Sequence, residues 1–461
     1  MIQENEKTNL HLKTAQIIAL GFAGVILAGA FLLWLPVSSA QGVTTSFWDA
    51  LFTACTSVCV TGLVTVSTAA NWSVFGKAVI LLLIQLGGFG VVTCMTLVLL
   101  IMGRRLSVGN RKLIRDTYNL DSMSGLAGII TRIVKGTLIV EGIGAVLHCF
   151  VFIPRFGFVK GLAVSVFHAV SAFCNAGMDI IGENSLADYA MNPIVNITTM
   201  FLIIMGGLGY LVWWELKSAA RKFWKREQPF WHILLGMSLH TKIVLVSTAV
   251  LILGGAVFIA LPEYFLQGSM KDFGFGKICV TSLFQSVTCR TAGFFTIPQE
   301  EMTESGAMIS MLLMFVGGSP MGTAGGMKTT TIFILLFTCS SFLKGKQDTE
   351  VFARRIPSDN IRTALVVVVV GLSVLFCSAV ALTAVTDAPF LDVLYETASA
   401  VGTVGLSRGL TPRLSTAGKL IIIVTMYIGR IGPVTLATAL TVKSSAESVK
   451  VRLPVKKVLI G

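Results

Sequence analysis

Four short glycine-centred segments recur along this chain at nearly constant spacing: SVCVTGL at 57–63, AFCNAGM at 172–178, TCRTAGF at 288–294 and AVGTVGL at 400–406. Their glycines, Gly62, Gly177, Gly293 and Gly405, are separated by 115, 116 and 112 residues. Two further alignments travel with them. An aromatic stands ten residues before the glycine in three units (Phe52, Phe167, Tyr395) and nine before it in the third (Phe284), so that unit is one residue short. A glycine cluster follows 24 to 29 residues later: GGFG at 87–90, GGLG at 206–209, GGSP at 317–320 and GRIGP at 429–433. Matches in one order at matching offsets mark a duplicated unit. One unit repeated four times can bring four equivalent backbone loops to a common axis.

Composition decides the medium. Of 461 residues, 54% are hydrophobic and 13% charged, and the mean hydropathy is +0.81. A helix needs ~20 apolar residues to cross a bilayer, and runs such as 15–36 and 243–262 supply them. The first run follows a polar leader with Lys7 and Lys13 but no small-residue cleavage motif, so it reads as a span and not a removable signal. The net charge of +13 is not spread as a nucleic-acid patch. It gathers after alternate spans, at Arg104, Arg105, Arg111, Lys112 and Arg115; at Lys217, Arg221, Lys222, Lys225 and Arg226; at Lys344, Lys346, Arg354 and Arg355; and at Lys443, Lys450, Arg452, Lys456 and Lys457. Short basic loops mark the cytoplasmic side. Each unit therefore starts and ends inside, both termini are expected in the cytoplasm, and the repeats are parallel, which suits a pore better than an inverted-repeat transporter. Nine cysteines, mostly in apolar segments and without C-x-x-C pairing, read as small buried thiols.

The expected fold is an all-α membrane protein of four parallel helix–re-entrant pore loop–helix repeats, eight transmembrane helices in all, around a central pore with pseudo-fourfold symmetry. The repeats are expected at 1–116, 117–229, 230–357 (with an interrupted second helix) and 358–461 (with a C-terminal tail). First helices are expected near 14–36, 130–154, 241–262 and 361–386, re-entrant helices near 47–58, 160–173, 276–288 and 390–400, and second helices near 76–103, 194–219, 305–343 and 416–442. A re-entrant stretch is too short to span, and its non-helical tail is tolerated at membrane depth only where protein or water covers it.

A cation leaving water loses its hydration shell, and backbone carbonyls around an axis can replace it. The residues before the glycines, Val60–Thr61, Asn175–Ala176, Thr291–Ala292 and Thr403–Val404, differ in side chain while the glycine is common. That pattern fits coordination by main-chain oxygens, with glycine allowing φ > 0 and close approach. The four segments make a candidate selectivity filter for a cation. The competing reading of such glycines is close helix packing in the membrane; four of them, each behind a short re-entrant stretch, favour the filter.

These segments, together with SVTCRTAGF, GGSPMGTAGGMKTT and MYIGRIGP, resemble the Trk/Ktr/HKT superfamily of potassium transporters, and are most like its bacterial KtrB-type membrane subunit. The resemblance covers nearly the whole chain. It implies a potassium-translocating subunit in a bacterial cell membrane, K+ held at the filter carbonyls of Gly62, Gly177, Gly293, Gly405 and their preceding residues, and uptake that is often Na+-stimulated. It also implies a homodimer and a cytosolic KtrA-type regulatory ring, on which any nucleotide would sit. In the family a serine at the first glycine goes with sodium, so Gly62 implies potassium. One departure is Arg290, three residues before Gly293 where the other units have Cys59, Cys174 and Gly402. A charge there is expected to turn away from the pore and pair with a carboxylate, Glu396 being one candidate.

The third second helix is interrupted by GGSPMGTAGGMK, which includes Gly317, Gly318, Gly322, Thr323, Ala324, Gly325, Gly326 and Lys328. Glycine costs ~1 kcal/mol and proline ~3 kcal/mol in a helix interior, so this run should unwind near mid-membrane. The reading is an intramembrane gate; the alternative is a packing kink. Arg430 lies inside the fourth second helix, where lipid exposure would cost at least ~2.5–3.5 kcal/mol. Facing the pore it would hinder cations; otherwise it serves an internal ion pair or a helix cap. Glu141, in the second unit's first helix, is expected to serve structural hydrogen bonding although a membrane carboxylate is often functional, and His168 and Glu396 are expected to brace the loops and not to touch ions. Two other functions compete. A sodium-coupled secondary transporter with alternating access is disfavoured by parallel repeats. A membrane enzyme is disfavoured because the chain has no nucleophile–base pair, no metal-ligand cluster and no G-x-x-x-x-G-K-[ST] loop.

Overall fold

The computed structural model describes residues 14–102, 111, 126–182, 184–226, 229–266, 268–432 and 435. The basic clusters expected after the first and fourth second helices lie outside these residues, apart from Arg111. The chain is mostly helical. In order it forms α1 (Thr14–Trp34), α2 (Phe47–Cys59), α3 (Val74–Phe89), α4 (Val91–Ile101), α5 (Leu126–Phe156), α6 (Phe158–Cys174), α7 (Pro193–Leu208), α8 (Tyr210–Trp224), α9 (Leu239–Phe265), α10 (Phe275–Thr288), α11 (Glu304–Phe315), α12 (Thr329–Leu343), α13 (Ser358–Thr383), α14 (Phe390–Gly402) and α15 (Thr416–Ile431). A two-stranded antiparallel hairpin pairs Glu350 with Arg355 and Val351 with Arg354.

Apolar runs become helices here because lipid offers no partner for a free N–H or C=O. Among the described residues α1, α5, α9 and α13 are each long and apolar enough to cross a membrane, and the pairs α3/α4 and α7/α8 qualify if each bent pair is one span. The long helices stay outside and show apolar faces, for instance Leu27 and Phe31 on α1, Ile139 and Phe150 on α5, and Val369 and Phe376 on α13. A soluble protein rarely exposes such contiguous patches. The short helices α2, α6, α10 and α14 lie inside, with Phe52, Phe173, Phe284 and Tyr395 fully or almost fully buried.

The helix that follows each glycine segment starts at a side-chain cap. Ser73, Asn192, Thr303 and Ser415 accept from the backbone N–H three residues on, at Gly76, Val195, Gly306 and Gly418, over 3.0–3.2 Å. Each cap satisfies one donor of a helix start and is typically worth about 1 kcal/mol. Thr303 is held further: buried Glu263 at the end of α9 accepts from its N–H at 2.9 Å and from the Ser269 N–H at 2.9 Å.

The second helices depart from expectation. They were expected to run unbroken over 76–103 and 194–219, yet they bend sharply at Gly90 and Gly209, the latter by 107° between α7 and α8. The fourth breaks at Ile431 with Gly432 as its cap, and the rest of the expected run to 442 lies outside the described residues apart from 435. These three glycines share one conformation, φ 80°, 88° and 92° with ψ 144°, 144° and 135°, a region that side-chain-bearing residues rarely enter. The glycine clusters thus break helices, which the apolar periodicity on either side conceals.

Candidate functional site

Each inner helix ends inside its glycine segment, three to five residues before the glycine, and the exit is nearly the same in all four. Val60, Asn175, Thr291 and Thr403, two residues before the glycine, are left-handed, with φ of 54°, 61°, 70° and 52°. Gly62, Gly177, Gly293 and Gly405 also have positive φ, from 64° to 103°. At α2, α6 and α14 the exit is a Schellman motif: Thr61, Ala176 and Val404 donate back to the carbonyls of Thr56, Ser171 and Ser399 at 2.8–2.9 Å. The third unit, one residue short, closes with Ala292 N–H to the Thr288 carbonyl instead, at 2.9 Å. Hydroxyls hold the segments from behind. Thr56 and Ser399 accept from the N–H of Gly62 and Gly405 at 2.9 and 3.0 Å, and Ser171 and Thr288 donate to the carbonyls of Met178 and Phe294 at 2.6 Å.

The four glycines meet in a ring. A Cβ at Gly62 would lie 2.6 Å from the Ala176 carbonyl oxygen; at Gly177, 2.5 Å from that of Ala292; at Gly293, 2.6 Å from that of Val404; and at Gly405 it would collide with that of Thr61. Each glycine therefore rests on the carbonyl just before the glycine of the next segment, and the fourth returns to the first. The side chains of Asn175 and Thr291 add a hydrogen bond of 3.2 Å between two neighbouring segments. All four glycines line one cavity of about 370 Å³, together with Asp179 and Glu300. Burial pushes the Asp179 carboxyl up to about 6, against the opposing effect of hydrogen bonds from the Ile181 and Gly182 backbone and the Ser185 hydroxyl.

Beneath the ring the glycine clusters touch the same inner helices. A Cβ at Gly87, Gly206 or Gly429 would collide with the carbonyl of Val58, Phe173 or Val401, each four residues before its ring glycine. The third unit differs. Its chain leaves α11 at Val316 and re-enters helix at Thr329, and the intervening loop is fixed to the other units. Ser319 N–H donates to the Gly207 carbonyl at 2.8 Å, Thr323 N–H to that of Gly206 at 3.0 Å, and Thr323 Oγ1 to that of Phe173 at 3.0 Å. Gly326 has φ +62° and lies so close to α14 that a Cβ would meet the Gly402 carbonyl at 2.7 Å, while one at Gly325 would strike Thr403. Gly317 N–H bonds the Met327 carbonyl at 2.8 Å, closing the loop on itself. Gly318 packs against Ala324 and Gly207, and Gly322 against the carbonyls of Gly206 and Gly207.

Arg430 is the clasp of this layer. Its Nη1 donates to the Thr323 carbonyl and its Nη2 to the Gly87 carbonyl, so one guanidinium joins the loop, α15 and the break between α3 and α4. Lys328 Nζ donates to the Ala324 carbonyl at 2.7 Å. Both cations line a second cavity of about 410 Å³, with Gly90, Tyr210, Met321 and Gly322.

Arg290 requires a correction. It is buried, at 5% exposure, yet it pairs with no carboxylate among the described residues, and its Nε and Nη2 have no hydrogen-bond partner. Glu396 is occupied elsewhere, accepting from Ser407 Oγ at 2.7 Å and from Thr411 Oγ1. Arg290 instead borders Ile203, Ile204, Gly207 and Gly318, behind the ring and beside the loop. Charge alone suggests the pairing, whereas Glu396 secures the fourth segment's outer loop through Ser407 and Thr411. Glu141 accepts from Gln85 Nε2 at 3.2 Å and lies 3.8 Å from the Cys174 thiol, and His168 bonds Thr199 at 3.0 Å and rests on the Phe294 ring. Gln85 carried no sequence signal that could single it out.

Comparison with known proteins accords with this geometry. The family model TrkH, described as a cation transport protein, matches residues 3–451. The chain is 38% identical over 460 residues to the potassium/sodium uptake protein NtpJ of Enterococcus hirae, covering 99% of each. It is 38% identical to the Ktr system potassium uptake protein B of Bacillus subtilis, covering 97% of this chain and 96% of that one. The crystal structure of the potassium transporter TrkH from Vibrio parahaemolyticus superposes with a TM-score of 0.71 at 17% identity, covering 95% of this chain and 87% of the other, a likeness of fold.

Proposed function

The chain belongs to the TrkH family of cation transport proteins, and from that premise we propose that it is the potassium-translocating subunit of a bacterial potassium uptake system. The four glycine segments are its selectivity filter, formed by four parallel repeats at 1–116, 117–229, 230–357 and 358–461 in pseudo-fourfold arrangement with eight spans. The observation that carries this reading is the closed ring of glycines, each resting on the carbonyl of the next segment and all facing one cavity.

Potassium would enter from that cavity and exchange water for the carbonyls of the ring. The carbonyl ends of α2, α6, α10 and α14 point at the exit side and favour a cation there. The loop from Gly317 to Lys328 with Arg430 is the gate. Entry is downhill, driven by the membrane potential at about 2.3 kcal/mol per charge per 100 mV. Both termini lie on the cytoplasmic side, where a homodimer would meet a nucleotide-binding regulatory ring of the KtrA type. Sodium stimulation is part of this reading because one relative is named for both ions.

The test is uptake rescue in potassium-limited, transport-deficient cells, with the wild type and with Gly62→Ser, across potassium and sodium. Rescue by the wild type and a shift of the variant toward sodium are expected. An ion preference untouched by the substitution removes Gly62 from the filter. A sodium-coupled carrier with alternating access would show unitary flux far below ~10⁴ ions per second, the rate scale that separates it from a pore with a fixed filter.

A further inference from the structure

Because α8 leaves α7 at 107°, it does not continue the direction of the span. It packs beside the start of α5, and between the two helices lies a cavity of about 880 Å³. Arg132 and Lys135 enter from α5, and Trp213, Trp214, Lys217 and Arg221 from α8. The spacing places them together. Residues 132, 135 and 139 share one face of a helix, as do 214, 217 and 221. Four full positive charges thus converge on one recess.

No carboxylate neutralises them among the described residues. The one carboxylate of α8, Glu215, turns away to accept from the Ser238 N–H at 2.6 Å and its Oγ at 2.7 Å. The one carboxylate of α5, Glu141, is held by Gln85. The Arg132 guanidinium stacks 5.6 Å above the Trp214 ring, and Trp213 is fixed as a wall by its Nε1 bond of 2.9 Å to the Met205 carbonyl. From this recess an apolar strip runs on along α5: Ile139, Ile143 and Val146 are 62%, 53% and 59% exposed. On α8 the exposed Phe223 and Trp224 stand beside Lys222, the mix of aromatic and basic residues that anchors a helix at a membrane interface.

We propose that this recess binds an anionic phospholipid of the cytoplasmic leaflet, with its phosphate against Arg132, Lys135, Lys217 and Arg221 and its acyl chains along Ile139, Ile143 and Val146. The placement rests on the cytoplasmic assignment of the basic clusters made above. Charge alone would suit a free phosphate or an acidic protein. The apolar strip that continues along a membrane-spanning helix suits neither, and it matches a molecule that is anionic at one end and hydrocarbon at the other. Basic pockets between spans on this side are the usual setting for anionic head groups.

The test uses the full chain in a neutral detergent, titrated with phosphatidylglycerol, phosphatidylcholine and inorganic phosphate and read by native mass spectrometry. Phosphatidylglycerol should be retained over phosphatidylcholine. Each cation near an anionic lipid contributes roughly fivefold, so Lys217→Gln with Arg221→Gln should weaken phosphatidylglycerol binding roughly 30-fold. The pair Lys222→Gln with Arg226→Gln, at the end of the same helix and in the turn just beyond it but outside the recess, should leave it unchanged. Equal loss in the control pair would mean diffuse surface charge and overturn the site. Unchanged binding in the first pair would do the same, as would full displacement of the lipid by inorganic phosphate. Melting temperature in detergent checks folding, and if the double variant unfolds, Lys217→Gln alone should still show roughly fivefold weakening.

Discussion

The ring of glycine segments and the layer beneath it follow different rules. In the ring all four units adopt the same left-handed step before the glycine, at φ 52–70°, and each glycine closes on the next carbonyl. One layer below, the first, second and fourth units break at a single glycine, whereas the third inserts the whole stretch between Val316 and Thr329. That stretch bonds to the second unit, packs on the fourth and is clasped by Arg430 to the first. The lesson is one of division of labour. On the proposed reading, the part that surrounds an ion keeps its four copies alike, while the part that gates needs only one, and the departure from symmetry marks it.

The comparison breaks most readily at the ring. Gly405→Ala adds a Cβ that strikes the Thr61 carbonyl at a backbone angle of φ +95°, and left-handed geometry alone costs a side-chain-bearing residue roughly 1–2 kcal/mol. We expect potassium uptake to fall by roughly 100-fold or more in the rescue assay, about 2.7 kcal/mol at 1.36 kcal/mol per factor of ten. Near-normal uptake would mean that the ring is not the narrow point. The layer beneath should respond in the opposite direction. At an assumed ~10 Å and an effective dielectric of ~20, the charge of Arg430 opposes a cation by about 1.7 kcal/mol. Arg430→Gln should therefore raise flux roughly 15-fold, as rubidium uptake into liposomes would show, and an unchanged rate at equal protein would deny it a gating part.

Arg290 sharpens the contrast, because it sits where ring and loop meet. A buried charge without its partner destabilises a fold, and an apolar replacement of similar size is often neutral or stabilising. Arg290→Met should keep or raise the melting temperature, and a clear fall would show that the guanidinium is tied down. The smallest effect is expected at the outer cavity. Asp179 takes up its proton near pH 6, so its charge is present at neutral pH and lost as the pH falls through about 6. One charge at ~10 Å in water is worth about 0.4 kcal/mol. Uptake at limiting potassium should drop about twofold between pH 7 and pH 5, and Asp179→Asn should abolish that slope.

Much of the fold was legible in advance. The short inner helices at Phe47–Cys59, Phe158–Cys174, Phe275–Thr288 and Phe390–Gly402 begin and end within two residues of where the sequence places them, because each is bounded by a turn on one side and a glycine segment on the other. The breaks at Gly90 and Gly209 were not legible. Both sides of each break are apolar, and the reason for the glycine is a close approach to another helix, which no local pattern records. The caps at Ser73, Asn192, Thr303 and Ser415 carry a weak signal, a short polar residue before a long apolar run, that reads clearly only when the four units are aligned.

What the chain determines by itself is its medium and its modularity. Apolar runs of bilayer length and a unit that recurs about every 115 residues are local properties, fixed by composition and by the backbone freedom of glycine. What only the tertiary structure decided is which groups meet. Arg430 finds the Thr323 and Gly87 carbonyls across 107 and 343 residues, and Arg290 is left without the carboxylate that its charge suggested. Hydrogen bonds and ion pairs act over a few ångströms in space, so neighbours distant in sequence are set only when the four units close into one body.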